Sequence, residues 1–206
     1  MYKMALDIDN TCAIAYYGLG IIYDDDELYE EAIECYKNAI ENDNKYEKAY
    51  FFLANAYDEL GNKEKAIKNY EKVLSLNPRD LWANANLGCI YDELGDTKLA
   101  LEYMKKANDI DKNHFRILFN MGVFNKKLGN LELAEEYYKK SIEQNQYYPY
   151  SYLNYAVMYR EKEDFKRAIE IINEGIKENT EEGFMLTQNS LGFNNLIYIA
   201  TVLSDI

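Results

Sequence analysis

The residues best suited to chemistry in this 206-residue sequence are few and scattered. His114 is the single histidine and sits in the turn sequence DKNHF. A general base needs a second group in hydrogen-bond reach to orient it, and the surrounding sequence offers none, so His114 reads as structural. The run DDDE at 24–27 concentrates carboxylates. It lacks the glycine that gives a calcium loop its sharp turn and the terminal glutamate that closes the coordination, so it reads as a solvated acidic turn. Cys12, Cys35 and Cys89 lie far apart. No CxxC pair points to zinc, and an odd number argues against a closed disulfide framework. They read as small buried hydrophobes in a reducing compartment, and the expected location is cytoplasmic. The sequence has no Gly-rich phosphate loop, nucleophile elbow or paired-His motif, and GLG at 18–20 falls inside a helical segment. No catalytic residue, metal or cofactor is expected.

Composition narrows the partner instead. The net charge is −13 and the pI about 4.6. Nucleic acid is bound through a basic stripe that displaces counterions, and none is visible, so a protein partner is expected and nucleic acid is not. No stretch of 18 apolar residues suggests a membrane span, and the opening MYKMALDIDN has no signal-peptide core. Two prolines and abundant Ala, Leu, Glu and Lys favour helix. Tyrosine occurs 21 times against one tryptophan, which suits many half-exposed contacts better than one dry core.

The elements that must position any site repeat themselves. FLANAYDELGNKEKAIKNYEKV from Phe52 returns as NLGCIYDELGDTKLALEYMKKA from Asn86, 34 residues later. A fixed period of this length marks stacked repeats. Extending the frame gives five units, 13–46, 47–80, 81–114, 115–148 and 149–182. Their eighth position holds Gly20, Ala54, Gly88, Gly122 and Ala156, and their twentieth holds Ala32, Ala66, Ala100, Ala134 and Ala168. The twenty-fourth holds Tyr36, Tyr70, Met104, Tyr138 and Ile172. Small residues facing large ones at helical spacing predict two closely packed helices per unit. Gly61, Gly95 and Gly129 are placed to end first helices, and Asn62, Asp96 and Asn130 to cap second ones. Units one and five carry Glu27 and Glu163 where the turn glycine would stand, which predicts looser turns there.

The chain resembles the tetratricopeptide repeat family. Unit 47–80 supplies Tyr50, Leu53, Ala54, Tyr57, Ala66, Tyr70, Val73 and Pro78 of its pattern, and the match runs over roughly residues 13–182. The closing proline appears only as Pro78, and Asn125 replaces an expected Tyr. The resemblance implies an all-α fold, a right-handed α-solenoid of helical hairpins whose first helices line a concave groove. It also implies that the chain binds other proteins and is not itself an enzyme. In the family, the groove is faced by positions 2, 5, 6, 9, 12 and 13 of each first helix. Here these include Asn86, Asn120 and Asn154 at position 6, and Asn55 at position 9. Asn side chains both donate to and accept from an extended peptide backbone, although Asn at position 6 is common in the family. Phe51, Phe119 and Trp82 offer apolar anchors and Arg116 a charged one, while core packing accounts for any one of them about as well. Position 12 changes sign along the chain, from Asp24, Asp58 and Asp92 to Lys126 and Arg160.

Both ends are distinctive. Residues 1–12 match the second half of a unit, with Tyr2 and Ala5 in the twenty-fourth and twenty-seventh positions. Residues 183–206 are expected to form a C-terminal helix, apolar around most of its circumference. That helix is either a docked cap, the start of a further segment or an oligomer contact, and self-association through one of the two ends is expected. Two function classes remain open at this stage: a scaffold or adaptor that binds a peptide or protein segment, and the regulatory or substrate-recruiting portion of a larger enzyme.

Overall fold

The computed structural model describes residues 2–180, the side chains of 179 and 180 excepted. Among the described residues there are eleven α-helices and no strand. The chain divides into two compact units, Met1–Leu94 and Gly95–Ile206. The first contains α1 (Tyr2–Ile8), α2 (Ala13–Asp25), α3 (Tyr29–Asn42), α4 (Glu47–Glu59), α5 (Lys63–Leu76) and α6 (Leu81–Glu93). The second contains α7 (Thr97–Ile110), α8 (Phe115–Lys127), α9 (Leu131–Gln144), α10 (Pro149–Glu161) and α11 (Phe165–Thr180). The expected helix at 183–206 lies outside the described residues.

Close packing of small against large side chains builds each hairpin. Ala32, Ala66, Ala100, Ala134 and Ala168 have no exposed surface. Gly20 lets the Tyr36 ring lie directly on the α2 backbone, where an added Cβ would come within 2.5 Å of the ring. Gly122 does the same for Tyr138 at 2.6 Å. A glycine inside a helix costs roughly 0.5–1 kcal/mol against Ala, and the buried ring offsets it by removing apolar area from water. The C-terminal unit gathers its core around Tyr138, Tyr152, Tyr155, Met158, Ile171 and Ile172. The N-terminal unit carries a chain of tilted and edge-on rings, with Tyr17 at 5.1 Å from Tyr46 and 5.7 Å from Phe52, and Phe51 at 5.7 Å from Tyr70. At its start, the Tyr2 ring of α1 packs on Gly18, while Met4 and Ile8 are exposed.

The turns correct one expectation. Glu27 and Glu163 adopt φ of 60° and 61°, the left-handed conformation of Gly61, Gly95 and Gly129. The bond closing the turn persists too: Leu28 N–H donates to the Tyr23 carbonyl at 2.8 Å and Asp164 N–H to that of Tyr159 at 3.0 Å, as Asn62 does to Tyr57 at 2.8 Å. These turns are therefore not loosened, because packing of the hairpin holds a non-glycine residue in a conformation that costs it about 1–2 kcal/mol. Helix capping is mixed. Asn62 accepts from Lys65 N–H and Asp96 from Leu99 N–H, as expected. Asn130 makes no such cap, and its amide donates instead to Asn125 Oδ1 at 3.3 Å. Asn125, where the repeat pattern expects Tyr, is buried and supplies that competing acceptor.

Candidate protein-interaction site

The candidate site in the N-terminal unit grows from one column of the repeat. Tyr70 projects from α5, which packs on both α4 and α6. Its ring is almost wholly buried, and burial pushes its hydroxyl well above the usual phenol range, so it stays protonated. A buried hydroxyl needs partners, and the sequence supplies them at the two nearest first-helix positions. Tyr70 Oη donates to Asn55 Oδ1 at 2.5 Å, and Asn86 Nδ2 donates to Tyr70 Oη at 2.9 Å and reaches Asn55 Oδ1 at 3.4 Å. Asn55 and Asn86 are thus held at fixed orientations on neighbouring helices.

Around this node opens a cleft of about 360 Å³, lined by Asp24, Tyr29, Asn55, Asp58, Glu59, Tyr70, Asn86 and Cys89. Its charges are unevenly satisfied. Lys63 Nζ lies 2.7 Å from Asp58 and 2.6 Å from Glu93, which neutralises that side. Among the described residues no cation pairs with Asp24 or Glu59. Burial, then the like charges of Asp25 and Glu59, hold the Asp24 carboxyl above its usual range, an effect partly offset by the Tyr36 hydroxyl. Burial and the carboxylates of Glu93 and Asp92 push the Cys89 thiol up to about 11. It is a thiol at neutral pH and a poor nucleophile.

The other expected site residues divide between packing and surface. Phe51 is half-buried, edge-on to Phe52 at 5.6 Å and to Tyr70. It supports the node more than it offers a free face. Trp82 remains 42% exposed. In the C-terminal unit, Phe119 packs edge-on to Tyr148 at 5.4 Å. Arg116 is exposed, 5.7 Å from the Phe115 ring. Lys126 Nζ pairs with Glu161 at 2.8 Å, so its charge is already met, whereas Arg160 is exposed. Asn120 is half-buried, and Asn154 donates to the Tyr150 carbonyl of its own helix at 3.1 Å. The expected row of equivalent Asn side chains is therefore not a row of equivalent groups: Asn86 joins a side-chain network, and Asn154 bonds its own helix backbone. Sequence reading missed Tyr70, Tyr29, Glu59 and Lys63. The signal for Tyr70 was present, as a position-24 Tyr with Asn at position 9 of its own unit and Asn at position 6 of the next.

His114 stacks on Phe115 at 5.5 Å. Among the described residues no group of three or more His, Cys, Asp and Glu is placed to hold a metal ion. None of the described helices is long and apolar enough to cross a membrane.

Three family models described as tetratricopeptide repeat match the sequence, one at 13–46 and 47–80, a second at 83–114 and 115–148, and a third at 137–170. The chain is a tetratricopeptide repeat protein. As such it takes its fold class, the all-α solenoid of that family. The third match begins on α9 and ends on α11, half a unit out of step with the others. Among solved structures, the chain is similar to YrrB, described as a tetratricopeptide repeat protein with an unusual peptide-binding site, at 22% identity and a TM-score of 0.73 over 97% of each chain. It is similar to MamA at 28% identity and a TM-score of 0.66, covering 70% of this chain and 85% of that one. It also resembles pilF of Pseudomonas aeruginosa at 22% identity and a TM-score of 0.74, covering 96% and 86%. A comparison with curated proteins finds no match.

Proposed function

We propose that this tetratricopeptide repeat protein is a non-catalytic binding module, a scaffold or adaptor that takes an extended segment of another protein on its first helices. In this reading the five-unit frame sets the spacing of the contacts, and the face of α2, α4 and α6 in the N-terminal unit is the principal seat. The observation that carries the proposal is the Asn55–Tyr70–Asn86 node. Two amides are oriented by a buried hydroxyl at the edge of an open cleft, so their remaining donor and acceptor can meet a peptide backbone without an ordering cost. Trp82 adds an exposed aromatic anchor on the same unit. The peptide-binding site described for YrrB agrees with such a role for a chain of this fold.

In the C-terminal unit, Asn120, Asn154, Phe119, Arg116 and Arg160 are proposed as further contacts on α8 and α10. The test is affinity capture from the native extract with the intact chain and with an Asn55→Ala/Asn86→Ala variant, after circular dichroism has confirmed equal helicity. Partners retained by the parent and lost by the variant are expected. An identical set of captured proteins would contradict the proposed seat.

A further inference from the structure

Deepening that reading, we infer that the cleft of the N-terminal unit is a subsite for a cationic side chain, a lysine or arginine of the bound segment. Three independent features of the molecule lead there. The cleft is concave, about 360 Å³, and within the size range of sites that enclose a small group. Two of its three carboxylates, Asp24 and Glu59, have no counter-cation among the described residues, whereas Asp58 already has Lys63. The Tyr36 side chain has no exposed surface, and its hydroxyl closes no hydrogen bond in the protein although it lies beside Asp24, one of the residues that line the cleft. A buried hydroxyl left without a partner is costly unless something occupies the space beside it.

The polar groups match an ammonium or guanidinium. Both are donors only and need acceptors on several sides. Asp24 and Glu59 provide charged acceptors. Asn86 spends its Nδ2 on Tyr70 and Asn55, and its Oδ1 accepts nothing from the described residues. The Tyr29 ring lines the same cleft and can cover the aliphatic stem of the incoming side chain. The chain's own segment 181–206 contains no Lys, Arg or His, so that segment has no side chain to fill the subsite. The whole unit favours the same sign, with 19 acidic residues against nine basic ones over 1–94, a net of −10.

The experiment uses the full chain labelled with ¹⁵N, and the side-chain amide signals of Asn55 and Asn86 as reporters. The probes are Nα-acetyl-lysine methylamide and Nα-acetyl-arginine methylamide, with Nα-acetyl-norleucine methylamide as an uncharged control of similar length. Saturable shifts of both amides by the two cationic probes, and none by norleucine, are expected. An Asp24→Asn/Glu59→Gln variant of unchanged helicity is expected to bind them about tenfold or more weakly, one decade corresponding to 1.4 kcal/mol. Glu59→Lys, which tethers a cation at the cleft, is expected to abolish the shifts. Equal shifts with norleucine, or equal affinity in the Asp24→Asn/Glu59→Gln variant, would overturn the subsite and leave only diffuse attraction to an acidic surface. The captured partner separates the two proposals. Full affinity for Asp24→Asn/Glu59→Gln with loss of binding by Asn55→Ala/Asn86→Ala would remove the cation subsite and leave the binding seat standing.

Discussion

Tyr70 and Tyr138 occupy the same repeat position 68 residues apart, and their hydroxyls meet opposite fates. Tyr70 finds Asn55 at position 9 of its unit and Asn86 at position 6 of the next. Tyr138 finds Val123 and Asn154 in those places. Valine offers no acceptor, and Asn154 turns to its own helix, so the buried Tyr138 hydroxyl has no hydrogen-bond partner. The carboxylates show the reverse contrast. Asp24, in the N-terminal unit, has no cation and is pushed towards its neutral form. Glu135, in the C-terminal unit, is also penalised by burial. Lys139 at 2.7 Å, Tyr159 Oη at 2.8 Å and Tyr155 Oη at 2.9 Å outweigh that and hold it below its usual range. The N-terminal unit carries a net charge of −10. The C-terminal unit has 17 acidic and 14 basic residues, a net of −3. Tyr70 is satisfied and Asp24 is left without a cation in the N-terminal unit, while in the C-terminal unit Tyr138 is left unmatched and Glu135 is satisfied internally.

Breaking the packing common to both units should have the largest effect. Gly122→Ala places a Cβ against the Tyr138 ring and is expected to destabilise by about 1–3 kcal/mol, measured by urea denaturation. Tyr70→Phe removes two hydrogen bonds and is expected to cost about 1–3 kcal/mol, each bond being worth roughly 0.5–1.5. Tyr138→Phe removes an unmatched hydroxyl and is expected to be neutral or to stabilise by up to about 1 kcal/mol. Equal costs for the two Tyr→Phe changes would erase the contrast. Glu163→Gly relieves the left-handed strain at the last turn and is expected to stabilise by about 1 kcal/mol or less, since the added chain entropy of glycine offsets part of the gain.

The two carboxylates should also separate by pH. A raised pKa in the folded state means that the fold binds more protons than the unfolded chain, so Asp24 costs stability once pH rises through its folded pKa. Asp24→Asn is therefore expected to raise the melting temperature at pH 7 and to lose that advantage near pH 3, where the native carboxyl is protonated. Glu135 has a lowered pKa, so its contribution is present above its usual value near 4.5 and fades as pH falls through the folded pKa. Glu135→Gln is expected to be destabilising at pH 7 and nearly neutral well below that value. Thermal melts of both variants at the two pH values check the opposite signs.

The period, the helices and the small-to-large columns were legible because each depends on side-chain size at fixed spacing. The Tyr70 node was written in the same columns, but its meaning depends on distances between neighbouring hairpins that a sequence does not display. Asn154 looked equivalent to Asn86 because position alone does not tell whether an amide will bond across to another helix or back to its own. Glu27 and Glu163 looked like weakened turns because local preference opposes their conformation, and packing of the hairpin overrides it.

Hydrogen–deuterium exchange on the full chain, with and without a partner obtained by capture, tests the central claim most directly. Slowed exchange in the peptides spanning α4 and α6, including Asn55 and Asn86, is the expected result. Protection confined to α3 and α5, with α4 and α6 unchanged, would place the partner on the second helices and contradict the account.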